Sequence, residues 1–362
     1  VVGVKGRVRA YEKAQGGVEI IPSEIRILGV AEHPLDMDPT GRVPADLDVR
    51  LNARILDLRR RENLALFKIN HHLLRAIRDY LEGEGYIEVQ TPKIIATATE
   101  GGAALFPVVY FDREAFLAQS PQLYKEQLTS VFEKVYEIAP YFRAEESRTT
   151  RHMAEFISVD VEAAFSTIED VMQLLEGLIV HATAYLRGKC GKELEILGVK
   201  LEVPETPFKR YTYDQVLGLL AERGLRIPWG EDIPTPGLRL LGELNPDTYY
   251  FIIDWPTESK PFYIKPKDGN PKICEAFDLM YGYLELASGG TRIHEKDLLV
   301  ERLKSQGLSP ESFSHHLRVF DYGMPPHAGW GLGLNRLLMA LTKRENIREC
   351  ILFPRDRDRL TP

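Results

Sequence analysis

The chain predicts a protein of mixed strands and helices. Strand-like alternation is concentrated at the N-terminus, in Val1–Arg9 and in positions 18–21 and 24–28. Helical patterns follow at positions 59–81, 167–188 and 211–223, and a short apolar run at 249–254 reads as a buried strand. No Gly-x-x-x-x-Gly-Lys loop, internal repeat or low-complexity segment is present.

Taken in order, the first alternating stretch turns at Gly16–Gly17 into the second, and a further strand is expected at 24–28. Three strands do not close a barrel. Positions 31–58 carry Pro34, Pro39, Gly41 and Pro44 and read as an irregular hinge. From Arg59 a helical pattern runs to about Leu81 and stops at Gly83 and Gly85. Positions 86–95 form an apolar strand interrupted by Pro92, which suits a sheet edge or a bulge rather than a central strand.

With 362 residues, 44% hydrophobic and 27% charged, the composition is that of a globular protein with one large domain and a small one. Cys190, Cys274 and Cys350 are an odd set without metal-ligand spacing, which fits a reducing, cytoplasmic setting better than a disulfide framework. No membrane-length apolar run or signal peptide is visible, so no membrane partner is expected. The net charge of −7 argues against non-specific nucleic-acid binding but not against a shaped nucleic-acid surface.

Two arginines in unlike settings carry the functional signal. Arg143 closes the run Val135-Tyr-Glu-Ile-Ala-Pro-Tyr-Phe-Arg and is followed by Glu145, a polar loop and His152. On a strand, residues two apart share a face, so Arg143 and Glu145 would meet one ligand together. Arg336 follows Gly329, Gly331 and Gly333, whose lack of side chains lets a strand lie flat under a planar group before a helix begins. Arginine offers a rigid, permanently charged fork that matches phosphate. Two of them on neighbouring strands would clamp a polyphosphate.

These stretches resemble motifs 2 and 3 of the class II aminoacyl-tRNA synthetases. In detail the chain resembles the aspartyl-tRNA synthetases of archaeal and eukaryotic type, down to its C-terminal Phe353-Pro-Arg-Asp-Arg-Asp-Arg-Leu-Thr-Pro362. The resemblance implies an α+β fold, an antiparallel sheet flanked by helices rather than a Rossmann fold. It divides the chain into the last strands of an anticodon-binding OB-fold (1–30), a hinge (31–58) and a catalytic domain (59–362). Within the last it places motif 1 at about 62–95, motif 2 at about 135–162, a helical insertion at about 167–250 and motif 3 at about 325–342. Motif 1 is expected to form a homodimer interface. The first half of the barrel is expected to be missing, as in a chain truncated at its N-terminus.

The chemistry implied is activation of L-aspartate by ATP and transfer to tRNA(Asp). The asparagine tRNA is left open as a second acceptor, because Gln15 in the loop Lys13–Gly17 matches neither the strict nor the relaxed form. The attacking carboxylate is already a nucleophile at neutral pH, so catalysis rests on placement and on neutralising charge at phosphorus. By the resemblance, Arg143 holds the α-phosphate, Arg336 the γ-phosphate, Glu145 the adenine amino group and His152 the outer phosphates, while Phe156 stacks on the base. Glu285 and Ser288 match magnesium ligands, with Asp278 supporting the ion through water, in keeping with the preference of Mg2+ for hard oxygens.

In Gln119-Ser-Pro-Gln-Leu-Tyr-Lys125, which matches the aspartate signature, Lys125 is placed for the side-chain carboxylate, and Arg292 is expected to pair with the same group. Asp160 is expected to compensate these cations, Ser120 and Gln122 to line the pocket, Tyr263 to add a contact, and Glu100 to sit in a flipping loop near the α-ammonium. Asn335 departs from the pattern, which commonly has Glu or Asp before the motif 3 arginine, and a loosened Arg336 helix is the expected consequence. The rivals are an asparaginyl-tRNA synthetase, disfavoured by Lys125; a tRNA-independent asparagine-forming enzyme, disfavoured by the OB strands; and a non-catalytic paralogue, disfavoured by the intact Arg143, Glu145 and Arg336.

Overall fold

A computed structural model describes residues 1–14, 16–96, 104–144 and 149–362. It divides into two compact units, Val1–Arg60 and Arg61–Pro362. In the first unit, strands Val2–Ala10 and Val18–Ile27 pair antiparallel. The two strands expected at 18–21 and 24–28 are therefore one. The reason is local: the register shifts between Lys5 and Gly6, so that Ser23 is an extra residue beside Pro22, and a bulge absorbs the missing proline N–H. Gly6 is required opposite it, since a Cβ there would lie 2.3 Å from the Ile21 carbonyl oxygen.

The second unit opens with the helix Arg61–Gly83, which buries Leu66, Ile69, Leu73 and Ile77. Among the described residues, eight strands then form one sheet. Their order is Ile87–Glu88, Lys134–Phe142, Glu155–Ala164, His327–Gly333, Leu284–Thr291, Ala276–Tyr281, Tyr249–Ile253 and Lys209–Thr212. Pairing is antiparallel except at the two edges, where Ile87–Glu88 and Lys209–Thr212 run parallel to their neighbours.

Pro92 splits what the sequence reads as one strand. Ile87–Glu88 joins the large sheet, while Ile94–Ile95 pairs with Arg113–Leu117 in a separate sheet with Pro107–Tyr110. Between them, the Thr91 N–H and the Lys93 ammonium both donate to Glu137, at 2.7 and 2.8 Å.

One face of the sheet is packed under helices Arg61–Gly83 and Ile168–Lys189. The second helix starts at Thr167, whose hydroxyl accepts from the Asp170 N–H while Asp170 accepts from the Thr167 N–H, a reciprocal cap. Strand alternation then decides what reaches the other face. Val159, Val161 and Ala163 enter the core, which turns Ser158, Asp160 and Glu162 the opposite way. On the neighbouring strand Ala328, Trp330 and Leu332 are core, so Gly329, Gly331 and Gly333 face the same side as the carboxylates.

Candidate active site

On that face lies a cavity of about 310 Å³, bounded by the central strands, the turn before helix Gln122–Phe132 and the start of helix Leu334–Leu341. Its floor is flat because of the glycines. Gly331 pairs with Asp160 on one side and Ser288 on the other, and a Cβ on it would stand 3.1 Å from Asp160 Oδ1. At Gly329 a Cβ would fall 2.1 Å from the Val161 carbonyl oxygen and 2.4 Å from Glu162 Oε2, so no side chain fits.

One end of the cavity rests on a buried charge network. Lys125, on the first turn of helix Gln122–Phe132, donates to Asp160 Oδ1 at 3.0 Å and to the Trp330 carbonyl at 3.1 Å, and lies 3.4 Å from Glu162 Oε2. Arg292 donates to both oxygens of Glu162, at 2.9 and 3.3 Å. Burial opposes its charge, but Glu162 more than offsets that and raises its pKa. Two cations and two carboxylates thus neutralise one another away from water, the condition under which buried charge is tolerated.

Of this set, Asp160 and Arg292 line the cavity. Lys125 is only 2% exposed, beneath the floor, so the structure places it as the holder of Asp160 rather than in the cavity wall. The second Asp160 oxygen, Oδ2, is buried without a hydrogen-bond partner among the described residues. Tyr263 flanks the same end, with the Arg292 guanidinium 5.4 Å from its ring centre. Ser120 and Gln122 complete the wall, and the Ser120 hydroxyl accepts from the Gln122 N–H.

The other end is more open and dominated by arginine. Arg143 follows strand Lys134–Phe142, with its guanidinium 5.4 Å from the centre of the Phe156 ring, and both line the cavity. Arg336 donates through Nε to the Arg151 carbonyl at 3.1 Å and through one terminal nitrogen to the Glu285 carbonyl at 3.0 Å. Its ion pair with Glu285 is long, at 3.8 Å. His152 also lines this end, with Nδ1 2.6 Å from the Thr149 hydroxyl.

Glu285 and Ser288 are three apart, a spacing that puts residues on opposite faces of a regular strand. Here the pairing slips, with Leu279 opposite Ala287 and Met280 opposite Glu285, so an extra residue at Leu286 swings both side chains to the cavity. Asp278, opposite Ser288, sits behind them and accepts from Lys260 at 2.6 Å. Burial, followed by the neighbouring Glu285 charge, pushes its pKa up to about 6 against the pull of Lys260. Its Oδ1 is buried with no hydrogen-bond partner within 3.5 Å among the described residues, and the nearby Ser288 hydroxyl pulls its pKa the other way.

The structure thus gathers Ser120, Gln122, Arg143, His152, Phe156, Asp160, Tyr263, Glu285, Ser288, Arg292 and Arg336 around one cavity, with Lys125 and Asp278 supporting it. Glu100, Glu145 and Gln15 lie outside the described residues. Three participants escape the sequence reading. Glu162, not Asp160, is the partner of Arg292; the signal was its period-two spacing from Asp160. Arg151 and Lys260 also line the cavity, and as isolated basic residues in polar loops they carry no sequence signal.

Asn335 does not loosen its helix. Its carbonyl accepts from the Ile157 N–H at 2.9 Å and its NH2 donates to the Cys350 carbonyl at 3.2 Å, so the amide ties the helix to both neighbours. A carboxylate would satisfy only the first of these.

The chain is similar to known proteins along its whole length. A family model described as tRNA synthetases class II (D, K and N) matches residues 46–357. Over the whole chain, the aspartate–tRNA(Asp/Asn) ligase of Methanopyrus kandleri is 57% identical, with 84% of its length covered. The aspartate–tRNA(Asp) ligase of Thermococcus kodakarensis is 53% identical, again with 84% covered. Among solved structures, asparaginyl-tRNA synthetase from Pyrococcus horikoshii complexed with asparaginyl-adenylate superposes with a TM-score of 0.92 at 34% identity, covering 100% of this chain and 84% of that one.

Proposed function

The chain belongs to the class II tRNA synthetases of the D, K and N group, and from that premise we propose that it works as an aspartate–tRNA ligase with the cavity as its active site. The observation that carries the reading is the division of one cavity into a buried, internally neutralised end and an arginine-rich end.

Aspartate binds at the first end. Its α-ammonium takes Asp160 Oδ2, which no described residue hydrogen-bonds, and its side-chain carboxylate meets Arg292, which Glu162 and Tyr263 hold in place. Lys125 acts one step back, fixing Asp160 and adding positive charge beneath the floor. Asparagine is nearly the same shape, so charge must separate the two. ATP lies across the glycine floor with its base against Phe156, its α-phosphate at Arg143 and its outer phosphates at Arg336 and His152.

An aspartate carboxylate oxygen then bonds to the α-phosphorus as the bond to the bridging oxygen breaks, and pyrophosphate leaves. No proton transfer is needed, and the arginines neutralise charge already in place. In the second step the terminal ribose hydroxyl of tRNA attacks the acyl carbon and AMP leaves.

Glu285, Ser288 and Asp278 fit a magnesium ion, since they are hard oxygen donors and one buried Asp278 oxygen has no hydrogen-bond partner among the described residues. The ion would supply charge neutralisation at the phosphates. Among the described residues no set of three or more His, Cys, Asp or Glu could hold a metal, so phosphate oxygens must complete such a site.

The partners proposed are tRNA(Asp), with tRNA(Asn) as an alternative acceptor, and a second copy of the chain. Ile87 and Ile94 of motif 1 are about half exposed, as an unpaired apolar face would be. No helix among the described residues is long and apolar enough to cross a membrane, and the free, buried cysteines suit a cytoplasmic enzyme.

The deciding experiment is pyrophosphate exchange with aspartate or asparagine as the only amino acid. Exchange with aspartate alone is expected. Exchange with asparagine alone would make the chain an asparaginyl enzyme, and neither would remove the activation reading.

A further inference from the structure

Behind the aspartate end lies a second buried cluster that the reaction above does not use. Glu126 is 1% exposed, one helical turn after Gln122 on the helix Gln122–Phe132. Its Oε1 accepts from the Gln122 side-chain NH2 at 2.6 Å. Its Oε2 faces two imidazoles from distant parts of the chain, with His316 Nε2 at 3.3 Å and His327 Nε2 at 3.7 Å. His316 lies on helix Ser314–Phe320, and His327 opens the strand that carries the glycine floor. All three side chains are cut off from water.

The ring nitrogens on the far side decide where the protons are. His327 Nδ1 lies 2.8 Å from the Pro325 carbonyl, which can only accept, so Nδ1 carries a hydrogen. A second proton on Nε2 is favoured by the carboxylate it faces at 3.7 Å, an attraction of charge rather than a hydrogen bond. Burial opposes that charge, but Glu126, with Glu162 beyond it, outweighs burial and raises the pKa of His327. His316 Nδ1 faces the Gln127 NH2 at 3.2 Å and accepts from it, which leaves its proton on Nε2 towards Glu126. Burial also opposes ionisation of Glu126, yet the two histidines hold its pKa well below the usual range.

Oε1 is thus held by a hydrogen bond from Gln122, while Oε2 faces two imidazoles at ion-pair distance, a setting that suits a carboxylate. With its NH2 committed to Glu126, the Gln122 amide has only its acceptor, the carbonyl oxygen, left to offer the cavity that the residue lines. We propose that Glu126, clamped by His316 and His327, is a positioning residue that fixes the Gln122 amide so that an acceptor, beside Asp160, meets the substrate ammonium. The inference rests on the aspartate-binding reading of this end of the cavity.

Glu126→Gln offers one acceptor where two are needed. Its NH2 then faces Gln122, whose amide flips and presents NH2 to the ammonium. Because a hydrogen bond to a charged group is lost and replaced by repulsion, KM for aspartate is expected to rise about tenfold or more. The KM for ATP and kcat should stay within about twofold, a split that loss of packing alone would not give. His316→Phe should raise the aspartate KM in the same direction, and His316→Gln, which still offers an NH2 to Glu126, should restore it. Imidazole 15N spectra of the wild-type chain at neutral pH should show His327 protonated on both nitrogens, independently of how any variant folds.

A neutral His327 would overturn the proposal. So would an unchanged aspartate KM in Glu126→Gln and His316→Phe, or a parallel loss in kcat and both KM values. The wild-type chain is assayed alongside: if its exchange does not depend on aspartate, the activity reading fails, whereas unmoved variants of an aspartate-dependent enzyme refute only the positioning role.

Discussion

The two ends of the cavity solve opposite electrostatic problems. At the aspartate end, Lys125, Arg292, Asp160 and Glu162 are each under a tenth exposed and bonded to one another, so the charges are balanced before any ligand arrives. At the phosphate end, Arg336 is about a fifth exposed, donates to two backbone carbonyls and lies 3.8 Å from the Glu285 carboxylate. A carbonyl orients a guanidinium without cancelling its charge. The first end is built to discriminate, because any ligand that upsets the balance is rejected. The second is built to meet a highly charged ligand, with arginines lining its more open wall.

This contrast breaks most sharply at the arginines. Arg143→Ala and Arg336→Ala should each nearly abolish aspartate-dependent pyrophosphate exchange, at a cost of ~3–4 kcal/mol per lost oriented donor. Their circular dichroism and melting midpoint should stay near wild type, because neither belongs to the buried network. Normal exchange in either folded variant would remove the phosphate assignment.

Lys125→Met should behave differently, losing aspartate affinity by roughly 2–5 kcal/mol while ATP affinity is spared. It should also melt at lower temperature, since Asp160 loses its buried cation and Glu162 keeps only Arg292. If aspartate titration of the variant matched wild type, the two ends would not be distinct.

Asn335→Ala tests how Arg336 is aimed. Losing both amide bonds should cost about 1–3 kcal/mol of stability and raise the KM for ATP more than that for aspartate. A shift in the aspartate KM alone would contradict the linkage.

The smallest effect expected is one of pH. Asp278 titrates at about 6 in the folded chain, above its unfolded value. The stability its neutral form contributes is thus complete below the unfolded pKa and is lost as pH rises through about 6. A cation reverses this by preferring the carboxylate. Mg2+-dependent ATP binding should therefore tighten about tenfold between pH 5 and pH 7, with a proton released in the acid range. Calorimetry on Asp278→Asn should show that step gone; if it persists, another group is responsible.

Much of this was legible in the chain itself. Helical period and capping residues placed Arg61–Gly83, Ile168–Lys189 and Tyr213–Glu222 within a few residues, because local hydrogen bonding and an apolar stripe suffice to define a helix. Motif residues such as Arg143, Arg336, Lys125 and Arg292 stood out because their chemistry is tied to short local patterns. The alternation of Ser158, Asp160 and Glu162 with Val159 and Val161 was likewise written in the sequence.

What only the tertiary structure decided are the relations between strands that meet from distant parts of the chain. Register is one: the slip at Leu286 brings Glu285 and Ser288 to one face, and the bulge at Ser23 fuses two expected strands. Partner choice is another. Arg292 is 130 positions from Glu162, and His316 and His327 are far from Glu126 in sequence; nothing local favours these pairs over others. The substitution at Asn335 makes sense only once the Ile157 N–H and the Cys350 carbonyl are seen on either side of it. Local propensity acts over a helical turn or a strand pair, while a buried charge is compensated by whatever packing brings within about 4 Å, and that distance is set by the fold as a whole.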